Sequence, residues 1–159
     1  MNTPTSLIIL VGSVTQTAMH MAHAIELSCT DLVDGIQVRP MDGLDIRTFE
    51  GDALYLICSS THGSGDVPEN ARALYESLDN EPRFLGHVHY GVMALGDSSY
   101  GETFCNGGLR FDERLADLGA VRIGDVFRHD ACAGTEADVE GAVWCREWLS
   151  TALAPRATA

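Results

Sequence analysis

The chain has 159 residues, of which 45% are hydrophobic, and this predicts a single domain over residues 1–159 with an ordinary core. Its formal charge of −13, from 23 acidic residues against 10 arginines, argues against nucleic acid and anionic membranes as partners. The apolar run Leu7–Val11 is too short for a signal core or a membrane span, so we expect a cytoplasmic protein.

Apolar runs that predict strands alternate with segments of helical spacing. The runs are Leu7–Val11, Ile36–Val38, Ala53–Cys58, Tyr90–Leu95 and Val121–Phe127. The residues expected on the buried faces of four helices are Ala18, Met21, Ala22, Ile25 and Leu27, then Ala71, Leu74, Tyr75 and Leu78, then Phe111, Leu115 and Leu118, then Val139, Val143, Trp144, Trp148 and Leu149. Pro68 is expected to open the second helix and Gly119 to end the third. This order predicts an α/β fold with a doubly wound parallel sheet, and fraying is expected only at 154–159.

Cysteine usage points to reduced thiols. The five cysteines are odd in number and contain no Cys-x-x-Cys pair. Free thiols are therefore expected rather than disulfides or a zinc site.

Three loops at predicted strand ends are rich in glycine and hydroxyl residues. They read "GSVTQT" (12–17), "SSTHGSGDVPENA" (59–71) and "GDSSYGETFCNGG" (96–108). Open parallel sheets bind ligands beyond the carboxyl ends of their strands. The three loops therefore predict a ligand site at one edge of the sheet.

The first loop suits a terminal phosphate held without a cation. It lacks the Gly-Lys-Ser/Thr of a Walker motif and two of the three glycines of a dinucleotide fingerprint. The chain has no lysine, and its first arginine is Arg39. Backbone N–H groups, the helix dipole and the hydroxyls of Ser13, Thr15 and Thr17 would bind the anion. For each hydroxyl the alternative role is a helix N-cap.

These loops, with "ALGDSSYGETFCNGGLRFDERLADLGAVRIGD" over 94–125, resemble the flavodoxins. The resemblance extends from about Ser6 to Leu153 and is strongest to the MioC-type bacterial flavodoxins. The FMN domains of sulfite and cytochrome reductases are also similar. It implies a short-chain flavodoxin-like fold, with five parallel strands in the order 2-1-3-4-5, helices on both faces and bound FMN.

The resemblance also implies roles for particular residues. The phosphate would be wrapped by Ser13, Val14, Thr15, Gln16 and Thr17. One side of the isoalloxazine ring would be lined by Ser60, Thr61, His62 and Gly63. The other side, or the ribityl chain, would lie near Gly96, Tyr100, Phe104 and Cys105, with Tyr100 stacked on the ring. The acids expected around the flavin edge are Asp66, Glu69, Asp97, Glu102 and Asp130.

The sequence departs from the family pattern at two of these positions. Gln16 stands where the family's phosphate loop usually has glycine, and this substitution predicts weaker FMN binding if that position needs a positive φ. His62 stands where many relatives have an aromatic residue.

Three functions are consistent with the sequence. The first is an FMN electron carrier, which takes single electrons from an NAD(P)H-dependent flavodoxin/ferredoxin reductase-type donor. It would deliver them to an acceptor enzyme with a basic docking face, and it needs no catalytic side chain and no metal. The second is an FMN-dependent NAD(P)H:quinone reductase. The third is a flavin-free binding module, although a receiver domain is disfavoured because the chain has no lysine.

Overall fold

The computed structural model describes residues 6–12, 17–50, 53–60, 68–81, 83–96, 106–130 and 137–158. The strands are β1 (Ser6–Gly12), β2 (Gly35–Pro40), β3 (Leu54–Ser59), β4 (His89–Gly96), β5 (Val121–Arg122) and β6 (Phe127–Asp130). The α-helices are α1 (Thr17–Ser28), α2 (Arg72–Asn80), α3 (Asn106–Asp117) and α4 (Ala137–Thr158). Two 3₁₀ turns, Ile46–Glu50 and Glu69–Ala71, lie in the connections that precede β3 and α2.

The sheet has the predicted topology. Its strands follow the order β2-β1-β3-β4-β5, and every pairing is parallel. The register places Gly12 of β1 opposite Ser59 of β3, and Ser59 opposite Ala94 of β4. The flavodoxin-like, doubly wound architecture is therefore confirmed.

The prediction of one last strand over Val121–Phe127 is wrong in detail. β5 and β6 both pair with the same edge of β4, with Arg122 opposite Tyr90 and Phe127 opposite Met93. Between these two pairs, the edge segment advances five residues, from Arg122 to Phe127, whereas β4 advances three, from Tyr90 to Met93. Gly124 lies in this interruption with φ of 71°, a conformation that L side chains rarely adopt. The edge strand therefore bulges before it reaches the carboxyl end.

Each face of the sheet carries its own apolar core, because successive residues of a strand point to opposite faces. Along β1, Leu7, Ile9 and Val11 face α1 and α4, whereas Ile8 and Leu10 face α2 and α3. All of these side chains are buried. A sheet covered on both faces explains why its strands are apolar throughout.

Most predicted helix positions are buried or partly buried, but three are exposed. Leu27, Val139 and Val143 have exposed fractions of 82%, 54% and 58%, so their assignment to buried faces is wrong. Leu27 follows Ile25 by two residues, which turns it about 200° away from the buried stripe that continues to Cys29. On α4 the buried stripe is instead formed by Cys145, Trp148, Leu149 and Ala152.

The helix ends agree with the sequence at two places. Pro68 precedes the 3₁₀ turn that leads into α2, and Gly119 follows α3 with φ of 97°. The helical assignment of α4 continues to Thr158, which includes most of the tail for which fraying was expected. Cys29, Cys58 and Cys145 are free thiols, as predicted, while Cys105 and Cys132 lie outside the described residues. Within the described ranges, no helix is long and apolar enough to cross a bilayer.

Candidate functional site

Four strands end together at one edge of the sheet, which we call the carboxyl edge. β1, β3, β4 and β6 end there at Gly12, Ser59, Gly96 and Asp130, and Gly96 lies directly opposite Asp130. Neighbouring strands are about 4.8 Å apart, so β1 and β4 leave the sheet about 10 Å from each other with β3 between them. The three loops singled out in the sequence therefore begin side by side.

The end of β1 is held tightly on several sides. The Ser60 N–H donates to the Gly12 carbonyl at 2.8 Å, and the Met41 N–H donates to the Val11 carbonyl at 2.9 Å. A Cβ atom added to Gly12 would lie 3.0 Å from both Ala71 Cβ and Met41 Sδ. The space beside Gly12 is therefore tight for any side chain, and β1 leads into residues 13–16 from a well-defined position.

The helix after this loop presents its N-terminus at the carboxyl edge. α1 begins at Thr17, and no acidic residue lies in its first turn. Ala18 is fully buried, and the Cys58 thiol donates to its carbonyl at 3.6 Å. Burial raises the pKa of the Cys58 thiol to about 12, so this group stays neutral beside the site. The N–H groups and the dipole at the start of α1 can therefore attract an anion without opposition from an acidic side chain in the helix's own first turn.

The end of β3 supplies backbone support as well as a predicted site residue. Ser59 and Ser60 are both buried, and the Ser59 hydroxyl donates to the Ser60 carbonyl at 2.9 Å. The Ser60 N–H is already used by Gly12. Ser60 is one of the residues predicted to line the flavin ring. Its N–H group, however, holds the ends of β1 and β3 together.

Helix α3 packs very closely on the strand that leads into the site. Gly107 and Gly108 are buried at its start. A Cβ atom at Gly108 would lie 2.6 Å from Ala94 Cβ and 2.9 Å from Ala94 Cα. The N-terminus of α3 is thereby held against β4, two residues from the strand's carboxyl end.

At the end of β6, Asp130 is partly exposed, as expected of a residue beside a bound ligand. Its neighbour His129 is only 7% exposed, and the His129 Nε2 atom lies 3.7 Å from the Glu140 Oε1 atom of α4. The sequence analysis did not single out His129. The signal was available in the alternation of β6, where His129 occupies the buried position next to exposed Arg128.

Asn70 is a second residue that the sequence analysis did not single out. Its side-chain amide donates to the Val11 carbonyl at 3.4 Å and to the Asp42 carboxylate at 3.3 Å. Its place in the motif "VPENA" was visible, but its partner Val11 lies 59 residues away in the chain.

Several predicted site residues lie outside the described residues, so their roles remain predictions. These are Ser13, Val14, Thr15, Gln16, Thr61, His62, Gly63, Asp97, Tyr100, Phe104 and Cys105. The described flanks of their loops do converge, since Gly12, Ser59 and Gly96 all end strands at the carboxyl edge.

Comparison with known proteins agrees with this geometry. The flavodoxin family model matches residues 9–142. Flavodoxin YqcA of Escherichia coli (strain K12) is 38% identical over 61% of this chain and 64% of its own length, slightly less than two thirds. Flavodoxin YqcA of Pectobacterium carotovorum subsp. carotovorum is 34% identical over 88% of this chain and 92% of its own length.

A larger flavoprotein and a solved structure are also similar. The sulfite reductase [NADPH] flavoprotein alpha-component of Shewanella sp. (strain MR-4) is 36% identical over 85% of this chain, which spans 23% of that protein. The structure of a cysteine-to-alanine mutant of flavodoxin from Pseudomonas aeruginosa is 27% identical, with a TM-score of 0.77 over 92% of this chain and 97% of that one. The family model, the relatives and the fold lead to the same conclusion: this chain belongs to the flavodoxin family.

Proposed function

We propose that the protein binds FMN and carries single electrons between other proteins. The family implies a flavin cofactor. We choose FMN because β1 ends and α1 begins at the carboxyl edge, with only residues 13–16 between them. A helix N-terminus without an acidic first turn suits a terminal phosphate, and FMN is a flavin that ends in one.

The described residues fit such a group. A Cβ atom on Gly12 would lie 3.0 Å from Ala71 Cβ, so β1 meets its neighbours closely at the point where it leads into residues 13–16. We assign the phosphate to Ser13, Val14, Thr15, Gln16 and Thr17, one side of the ring to Ser60, Thr61, His62 and Gly63, and the other side to Gly96, Tyr100, Phe104 and Cys105. Asp97 and Asp130 would lie near the flavin edge.

When bound, FMN supplies the redox chemistry, because a flavin accepts and releases electrons one at a time. The chain would bind and orient the flavin and exclude water from one part of it. At the end of β3, the described groups beside this surface are the neutral Cys58 thiol and two buried serines, which carry no positive charge. The negative charge of the chain would oppose further negative charge on the flavin and so lower its reduction potential.

The proposed partners follow from the same charge. We propose an NAD(P)H-dependent flavodoxin/ferredoxin reductase-type donor and an acceptor enzyme with a basic docking face, both in the cytoplasm. An acidic carrier is steered toward basic surfaces, which accelerates encounter.

The test is a fluorescence titration of the apoprotein with FMN, riboflavin and FAD. FMN is expected to bind far more tightly than riboflavin, which leaves the phosphate donors unpaired, and also more tightly than FAD, whose phosphate carries a bulky nucleotide. Thr15→Ala removes one charge-assisted hydrogen bond and should weaken FMN binding about tenfold to a hundredfold, or roughly 1.5–3 kcal/mol. Thr30→Ala, at an exposed position beyond the end of α1, is the matched control and should leave the affinity unchanged.

Two results would contradict the proposal. Equal affinities for FMN and riboflavin would mean that residues 12–17 are an ordinary helix start. Steady-state oxidation of NADPH with a quinone by the purified protein alone would instead identify a quinone reductase.

A further inference from the structure

The loop over residues 61–67 is tied to the end of β1 at both of its flanks. On the entry side, the Ser60 N–H donates to the Gly12 carbonyl at 2.8 Å. On the exit side, the Asn70 side-chain amide donates to the Val11 carbonyl at 3.4 Å. Because β1 continues directly into residues 13–16, the flanks of the two loops share one anchor.

Asn70 also reaches a third segment. Its amide donates to the Asp42 carboxylate at 3.3 Å, in the connection that follows β2. Met41, next to Asp42, donates its N–H to the same Val11 carbonyl at 2.9 Å. The Asn70 side chain therefore joins the 3₁₀ turn Glu69–Ala71, the end of β1 and the chain after β2.

Packing makes this connection stiff. The Ala71 N–H donates to the Pro68 carbonyl at 2.9 Å, which closes the turn around Asn70. Ala71 Cβ lies 3.0 Å from the position that a Cβ of Gly12 would occupy. The turn and the end of β1 are therefore close neighbours at Gly12 as well as hydrogen-bonded through Asn70.

We propose that Asn70 is a positioning residue that fixes the end of β1, which leads into the phosphate loop (13–16), relative to the turn Glu69–Ala71, which follows the ring loop (61–67). This inference rests on the proposed function, since it requires that FMN contacts both loops. Prior organisation of two loops strengthens the binding of a ligand that spans them, because less ordering is left for the binding event. A ligand that contacts one loop gains little from the coupling.

Three probes separate coupling from a general loss of structure. FMN spans both loops, riboflavin lacks the phosphate, and inorganic phosphate lacks the ring. We expect Asn70→Ala to raise the Kd of FMN about tenfold while the Kd values of riboflavin and inorganic phosphate change less than about threefold. Asn70→Asp keeps the size of the side chain but replaces the donor with a carboxylate that faces Asp42, so the same pattern is expected.

Glu76→Gln is the matched control, because Glu76 is exposed on α2, the helix that follows the same turn, and is not among the residues assigned to the flavin. It should leave all three affinities and the Tm of the apoprotein unchanged. The measurements are fluorescence titrations for the two flavins, NMR titration for phosphate and thermal unfolding for each variant. If Asn70→Ala does not fold, the nearly isosteric Asn70→Asp supplies the result.

The outcomes distinguish this proposal from the proposed function. Tight FMN binding by both the wild type and the two Asn70 variants would overturn the role of Asn70 and leave the FMN carrier intact. An equal loss for all three probes together with a lower Tm would assign Asn70 a purely structural role and also overturn the proposal. Failure of the wild-type apoprotein to bind FMN at all would refute both.

Discussion

At the scale of single residues, one described glycine stands where a side chain would meet the backbone of another element. This residue is Gly108, because a Cβ there would lie 2.9 Å from the Cα of Ala94 as well as 2.6 Å from its Cβ. A backbone atom cannot move aside as the end of a flexible side chain can. The glycine pair at the start of α3 therefore sets how closely that helix approaches β4.

Gly108→Ala should destabilise the protein by about 1–3 kcal/mol, the usual cost of overpacking a core. In an exposed helix the same change would stabilise by about 1 kcal/mol, since alanine is the better helix former. Thermal or urea unfolding of the apoprotein measures the effect. At about 2–4 °C per kcal/mol for a chain of this size, the Tm should fall by at least about 2 °C.

Two other glycines serve as controls. Gly141 of α4 would place its Cβ against the flexible side chain of Met21, so Gly141→Ala should cost less than Gly108→Ala. Gly35 at the start of β2 has nothing within 4 Å of the added atom, so Gly35→Ala should be neutral. A Gly108→Ala protein as stable as the Gly35→Ala protein would mean that α3 can shift away from β4 at no cost.

At the scale of elements, α1 and α4 lie side by side on one face of the sheet and are joined at the end of α1. Arg146 of α4 forms an ion pair with Asp31 at 3.0 Å, and its guanidinium also donates to the Ser28 carbonyl. The hydrogen bond from Arg146 lowers the pKa of the Asp31 carboxyl. A cation at the C-terminus of α1 is also favoured by the helix dipole.

This lowered pKa predicts how the pair responds to acid. A carboxyl whose pKa is lowered by folding stabilises the protein above its unfolded value near 3.8, and the contribution disappears as pH falls through the lowered value. Asp31→Asn should therefore lower the Tm at pH 7, by less than Gly108→Ala because the pair is exposed, and the difference should vanish in acid.

Glu147→Gln is the control for this prediction, because it removes one negative charge at an exposed position of α4. A double-mutant cycle of Asp31→Asn with Arg146→Gln measures the coupling of the pair. A Tm difference between Asp31→Asn and the wild type that persists unchanged below pH 3 would show that the ion pair is not its source.

At the scale of the whole molecule, charge is the dominant feature. The formal charge is −13, and Asp42, Glu69 and Asp130 lie at or beside the described part of the carboxyl edge. An acidic surface around an electron-transfer site increases the rate of encounter with a basic partner, and salt screens this effect.

The rate of electron transfer from a basic reductase should therefore fall as ionic strength rises from about 0.1 M to 1 M, where the Debye length shrinks from about 10 Å to 3 Å. Stopped-flow reduction of the flavin measures this rate. Asp130→Asn should make the salt dependence shallower, whereas Glu147→Gln should not, because Glu147 lies about 15 Å along α4 from its N-terminus. A rate that does not change with salt would show that electrostatic docking does not accelerate electron transfer.

Local sequence patterns were sufficient to predict the alternation of strands and helices, the parallel sheet and the edge of the sheet where the candidate site is proposed. These features follow from local patterns: apolar runs in β1, β3 and β4, helical spacing in α1 and α3, and loops rich in glycine and hydroxyls after the strands. A strand that is buried on both faces is apolar throughout, and this pattern is visible within the strand itself.

Which residues hold the flanks of those loops depends on contacts between distant segments of the chain. Asn70 meets Val11 across 59 residues, and Gly12 meets Ala71 and Met41, so neither contact has a signature within one segment. The bulge at Gly124 was missed for the same reason. Leu27 and Val143 are different, because each lies about 200° around its helix from a buried residue, so helix geometry alone would have placed them on the exposed side. Periodicity reports the apolar side of an element, but the width of the buried stripe depends on how neighbouring helices and strands meet, and that is set by packing between distant parts of the chain.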